Sequence, residues 1–164
     1  MFGFGKKKKE LVDDQRVYTV TNGNILPLSD VSDPVFSQGM MGTGYAIEPD
    51  EDAKIVSPVY AKVTMVQGHA IGLQRADGLQ FLIHIGVDTV NLKGAPFHAE
   101  VAEDDIVEPG DELVKVDWGQ IAESGLDKTV MVVMPNQQKL GATLKIDDAA
   151  RTVKATQELG TAER

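Results

Sequence analysis

Short apolar runs broken by turn dipeptides fill most of this sequence. Val17 to Val20, Ala46 to Glu48, Lys54 to Val56, Ala61 to Val66 and Ala70 to Leu73 alternate with signals such as Asn22-Gly23, Pro49-Asp50 and Asp77-Gly78. Many short strands at this spacing predict an all-β fold, an antiparallel sandwich or distorted barrel. Phe97 to Val101, Ile106-Val107 and Leu113 to Val116 continue the meander, with Asp104-Asp105 and Pro109-Gly110-Asp111 as turns. A helical pattern appears at Trp118 to Leu126, with Asp117 placed as N-cap and Gly125 near its end, so one or two short helices are expected. Thr129 to Met134 returns to strand character.

With 164 residues the chain is long enough for one domain with a sizeable core and too short for two ordinary ones. We expect a flexible tail over 1–16, a single sandwich domain over 17–158, and a disordered terminus over 159–164, where no strand pattern is legible. The absence of cysteine excludes disulfides, thiolate catalysis and cysteine-bound zinc. No apolar run approaches the ~20 residues that span a bilayer. The N-terminus lacks a secretory pattern, because its lysines follow the apolar residues instead of preceding them. The cytoplasm is the expected compartment.

A formal charge of −9 argues against nucleic acid as a partner, since phosphate backbones select basic faces. A basic protein partner fits better. Four of the 16 basic residues are Lys6 to Lys9, so the body is more acidic than the total suggests. With Phe2 and Phe4, the cluster Lys6, Lys7, Lys8 and Lys9 is suited to weak contact with anionic lipid at the inner face of the membrane. Most tails of this kind are merely solvated.

The most informative run is Phe81-Leu82-Ile83-His84-Ile85-Gly86-Val87-Asp88-Thr89-Val90, where one imidazole interrupts a strand-forming stretch. Period-two alternation puts Leu82, His84 and Gly86 on one face and Phe81, Ile83 and Ile85 on the other. Gly86 has no side chain, so something can approach the His84 ring closely. Gln67-Gly68-His69 places a second histidine within hairpin reach of the first. If the strand runs straight, Asp88 shares the His84 face. On spacing alone, a lone histidine on an apolar strand is more often a satisfied rim or core residue.

Phe81 to Val90 closely resembles the phosphorylation-site signature of glucose-type enzyme IIA proteins of the bacterial phosphotransferase system. Gly68-His69-Ala70, Ser57-Pro58-Val59, Asp33-Pro34-Val35-Phe36 and Asn91-Leu92-Lys93-Gly94 are similar to further landmarks of that family, in the right order. The resemblance covers roughly Leu26 to Pro135. It implies a phosphocarrier in which His84 accepts a phosphoryl group on Nε2 from the carrier HPr and passes it to the cysteine of an enzyme IIB domain. It further implies that His69 stabilises the phosphoryl oxygens and that Asp33 joins Asp88 on a rim that grips partner arginines. Val35, Phe36, Met40, Met41 and Val90 would form an apolar ring around the site; Phe36 and the methionines serve equally well as core packing.

Position 67 is Gln where the family pattern leads one to expect a hydroxyl residue that orients His69, although an amide can also serve. Asp104 fills a turn position usually taken by glycine. The segment from Thr143 to Arg164 lacks the family's closing pattern.

Other functions are open to such a chain. A regulator whose phosphorylated His84 controls binding to target proteins would use the same residues. Lys54 to Thr64 and Glu103 to Leu113 resemble the halves of biotinyl and lipoyl carriers, but no Met-Lys-Met is present. A zinc peptidase of the lysostaphin type needs a His-x-His pair, which is also missing. His69 and His84 supply two ligands, so zinc is expected only where a partner adds a carboxylate, and no cofactor is expected in isolation.

Overall fold

The computed structural model describes residues 9–164. Its strands are β1 (Arg16–Tyr18), β2 (Gly23–Pro27), β3 (Thr43–Pro49), β4 (Ile55–Val56), β5 (Ala61–Val66), β6 (Ala70–Gln74), β7 (Gln80–Ile85), β8 (Phe97–Ala99), β9 (Ile106–Val107), β10 (Glu112–Val116), β11 (Val130–Met134), β12 (Thr143–Ile146), β13 (Arg151–Val153) and β14 (Glu158–Glu163). Three short helices, α1 (Pro34–Ser37), α2 (Trp118–Glu123) and α3 (Gln137–Leu140), fill connections. The paired strands run antiparallel. They form an eight-stranded sheet in the order β13-β2-β3-β11-β7-β6-β5-β9 and two three-stranded sheets, β1-β14-β12 and β4-β10-β8. This is the expected all-β sandwich, with one more short helix than the sequence pattern indicated.

Both faces of the large sheet are covered, but unequally. Ile25, Ile47, Val130 and Ile85 pair in register across β2, β3, β11 and β7 and point into the main core, where they meet Val17, Leu113 and Leu159 from the smaller sheets. One residue along, the register gives Leu26, Ala46, Met131, His84 and Ala70 on the opposite face. There a second, smaller cluster forms from Leu28, Val31, Phe36, Ala46, Met131 and Val133. The sandwich thus has a thin outer layer, and His84 stands in it.

Helix α1 shows how that layer is held. Asp33 is its N-cap, accepting from the Val35 N–H at 2.9 Å, and Pro34 occupies the first turn, where a missing N–H has no cost. The turn tucks Phe36 into the second cluster. Helix α2 begins where the sequence indicated, with the Asp117 carboxylate accepting from the Gln120 N–H. Asp104 adopts the left-handed conformation at φ 76°, which aspartate tolerates better than most residues.

Three expectations need correction. Residues 159–163, expected to be disordered, lie in β14, paired with β1 and β12, and Leu159 and Ala162 are buried in the main core. The domain also starts before residue 17, because Arg16 pairs with Thr161 and the Gln15 carbonyl accepts from the Ala162 N–H at 2.9 Å. Finally, the His84 strand does not run straight to Asp88. It ends at Ile85, and Gly86 (φ 81°) and Asp88 (φ 61°) turn the chain into a 3₁₀ helix over Thr89–Leu92. Phe2, Phe4 and Lys6 to Lys8 of the expected lipid contact lie outside the described residues, whereas Lys9 forms an ion pair with Asp111.

Candidate functional site

The two expected histidines meet. His84 projects from β7 on the thinly covered face, and His69 stands at the end of the β5–β6 connection, where Gly68 (φ 56°) makes the turn. Strand pairing fixes the approach, because Ala70 is the cross-strand partner of His84 and the Ile85 N–H donates to the His69 carbonyl at 2.8 Å. The ring centroids lie 5.0 Å apart, edge to face at 77°. Phe36 closes the other side of His84, also with centroids 5.0 Å apart and tilted by 50°. The third histidine, His98, is exposed on β8 and does not join the pair.

The His84 ring is fixed by its nearer nitrogen. Nδ1 lies 2.8 Å from the Gly86 carbonyl oxygen. A carbonyl can only accept, so Nδ1 carries the proton, and the neutral ring leaves the Nε2 lone pair free. Burial holds the His84 pKa below 6.5; the Gly86 hydrogen bond, Asp33 and Asp88 pull the other way, and His69 adds to the depression. Burial also lowers the pKa of His69, against a hydrogen bond to the Gln67 backbone. At neutral pH both rings are therefore uncharged. A half-buried neutral imidazole with one free nitrogen is a nucleophile that needs no deprotonation.

Gly86 sits at the centre of this arrangement. A Cβ there would come within 2.5 Å of the Thr89 methyl and 2.9 Å of the Asp127 carbonyl oxygen, on a backbone at φ 81°. Buried Thr89 donates its hydroxyl to the Ile85 carbonyl, which stitches the turn shut. Thr89, Ser32 and Asp127 were not singled out in the sequence. The Asp127-Lys128-Thr129 spacing, typical of an aspartate that hydrogen-bonds the backbone two residues on, was the signal available for Asp127.

The remaining predicted residues take different places. Asp33 and Asp88 both act electrostatically on His84, although Asp33 also uses an oxygen to cap α1. Gln67 is exposed and meets His69 through its backbone, so the amide does not replace the expected hydroxyl. Val35, Met40 and Val90 are 42%, 70% and 55% exposed, so none of them is core packing. Phe36 is buried and Met41 packs against the second cluster, so these two are structural parts of the layer. A hollow of about 470 Å³ opens behind the α1 turn, lined by Phe36, Met40 and Gln138 among others; neither histidine lines it. Among the described residues no group of three or more His, Cys, Asp or Glu side chains is placed to hold a metal ion. No helix there is long and apolar enough to cross a membrane.

A β-sandwich with a neutral imidazole pair on its thinly covered face suits a carrier of a transferable group, and the comparisons supply the class. Residues 15–140 match the family described as phosphoenolpyruvate-dependent sugar phosphotransferase system, EIIA 1, and the chain belongs to that family. It is 38% identical over 160 residues to the glucose-specific EIIA component of Halalkalibacterium halodurans, covering 94% of this chain and 91% of the relative. It is 45% identical over 122 residues to the beta-glucoside-specific EIIBCA component of Bacillus subtilis, covering 73% of this chain and 20% of that protein. The solved glucose permease IIA from Mycoplasma capricolum superposes with a TM-score of 0.80 at 34% identity, covering 88% of this chain and 93% of that one. The chain is a phosphocarrier component of the sugar phosphotransferase system.

Proposed function

We propose that His84 is the phosphoacceptor and that Nε2 is the reactive atom. The observation that carries this reading is the 2.8 Å contact of Nδ1 with the Gly86 carbonyl, which holds the proton on one nitrogen and the lone pair on the other. In the first step Nε2 attacks the phosphorus of phospho-HPr: the new N–P bond forms as the bond to the donor histidine breaks, and the bonding pair stays on the donor. In the second, the cysteine thiolate of an EIIB domain attacks the same phosphorus, and the electron pair returns to Nε2. The transition state is loose, so the protein contributes alignment and charge stabilisation. His69, with its ring 5.0 Å away, is assigned to the phosphoryl oxygens: the nitrogen not used on the Gln67 backbone becomes a donor when the incoming phosphoryl charge favours the protonated ring.

Asp33 and Asp88 would pair with arginines of HPr and EIIB around an apolar rim of Val35, Met40 and Val90, where a flexible methionine adapts to two partners. The sugar is chosen by the permease, not by this chain. Zinc enters only if a partner carboxylate joins His69 and His84. Incubation with phosphoenolpyruvate, enzyme I and HPr tests the reading: the wild type takes up acid-labile phosphate, and His84→Ala takes up none while keeping its fold. Label persisting on His84→Ala would refute the assignment.

A further inference from the structure

We propose that Asp127 is a positioning residue for His84, tying the loop that bears Asp33 and Phe36 to the turn that bears Gly86 and Asp88. The proposal rests on His84 being the phosphoacceptor. Strand order explains the first contact and packing the second. β11 lies antiparallel between β3 and β7, so the 127–129 segment that leads into it emerges beside the end of β3 at Glu48 and the turn following β7. The β2–β3 connection folds over that face of the sheet with Leu28, Val31 and Phe36 and brings Ser32 to Asp127.

Asp127 meets each side through different atoms. Towards the turn it uses its backbone: its carbonyl accepts from the Val87 N–H at 2.9 Å, and the neighbouring Thr129 carbonyl accepts from the Gly86 N–H at 2.9 Å. Both peptide N–H groups flanking the carbonyl that holds His84 Nδ1 are therefore anchored to this segment. Towards the loop it uses its carboxylate: Oδ2 accepts from the Ser32 hydroxyl at 3.0 Å, one residue before the α1 cap. Oδ1 accepts from the Thr129 N–H at 3.0 Å and the Thr129 hydroxyl at 2.6 Å, which fixes the carboxylate; Glu48 contacts the same hydroxyl. Burial disfavours its charge, but the Thr129 and Ser32 hydrogen bonds outweigh burial and leave its pKa below the ordinary carboxylate value.

The consequence is chemical. His84 is held edgewise by the Gly86 carbonyl and flanked by Phe36, so its Nε2 direction depends on both segments keeping one relative position. Cutting the tie lets them move apart and lets the ring tilt away from the line of attack.

The test uses the full chain with a small phosphoramidate as donor, so that docking of a protein partner does not enter. Asp127→Ala, Ser32→Ala and Asp127→Asn are compared with wild type for kcat and KM and for the ¹⁵N signals of the His84 ring. Asp127→Ala is expected to lower kcat by about tenfold or more with little change in KM, as a misaligned nucleophile does, and to shift the His84 ¹⁵N signals toward the average of two tautomers. Ser32→Ala should give a smaller change in the same direction. Asp127→Asn should stay close to wild type, since the amide keeps an acceptor for Thr129 and offers Ser32 a donor. A folded Asp127→Ala with wild-type kcat and ring signals overturns the proposal, and if that variant does not fold, the same result in Ser32→Ala overturns it. Phosphate on His84 of the wild type together with unaffected variants removes only the tie, whereas wild type without phosphate on His84 removes the functional reading itself.

Discussion

Gly86→Ala perturbs the site at the point where backbone geometry and chemistry meet. The glycine stands at φ 81°, where any residue with a Cβ loses about 1–2 kcal/mol. The added methyl would lie 2.5 Å from the Thr89 methyl and 2.9 Å from the Asp127 carbonyl oxygen, and such overpacking costs about a further 1–3 kcal/mol. A total loss of about 2–5 kcal/mol is therefore expected, a large share of the 5–15 kcal/mol typical of a domain. Urea unfolding measures it directly. Thr89→Ser removes the nearer obstacle and keeps the hydroxyl that bonds the Ile85 carbonyl, so Gly86→Ala/Thr89→Ser should recover part of the loss but not the share due to φ. Displacement of the Gly86 carbonyl also frees the His84 ring, and phosphoryl transfer should fall by up to about 100-fold even in folded protein. Stability within about 0.5 kcal/mol of wild type, with unchanged transfer, would refute the argument that this position must lack a side chain.

His69→Gln should still accept phosphate at His84 but transfer it about 100- to 1000-fold more slowly, as loss of one positioned donor does; stopped-flow transfer to EIIB at the wild-type rate would contradict the role given to His69. Burial lowers the pKa of both His84 and His69 below 6.5, so between their folded values and 6.5 the unfolded chain binds more protons. Their contribution to stability is complete above pH 6.5 and is lost as pH falls through that window, which urea midpoints from pH 8 to 5 would report. Asp88→Asn should slow transfer from HPr more at low than at high salt, because rim charges act by steering that ions screen within ~8–10 Å. A small phosphoramidate should show no slowing; equal slowing of both donors, independent of salt, would place Asp88 inside the site.

Much of this was legible in the sequence because it is local. Strand alternation alone put His84 on the face opposite Ile83 and Ile85, but it reads Gly86 only as room for a close approach to the ring, whereas Gly86 is where the chain leaves the strand. What stayed hidden depends on distant partners or on very short elements. Helix α1 is four residues long, so it has no periodicity, and only its Asp33-Pro34 start marks it. β14 reads as a polar tail because Leu159 and Ala162 become apolar anchors only once β1, at the other end of the chain, lies beside them. The straight-strand placement of Asp88 failed because period-two reasoning cannot see two left-handed positions, Gly86 and Asp88, on either side of Val87. The link from Ser32 to Asp127 joins segments 95 positions apart and has no linear signature.

The central claim is that the Gly86 carbonyl assigns the two nitrogens of His84 to different tasks. Phosphorylating protein labelled with ¹⁵N at histidine and recording the ³¹P–¹⁵N couplings tests it directly. The account predicts one phosphoryl group, bonded to Nε2 of His84, with Nδ1 still protonated and donating to Gly86. Phosphate on Nδ1 of His84, or on His69, would contradict it.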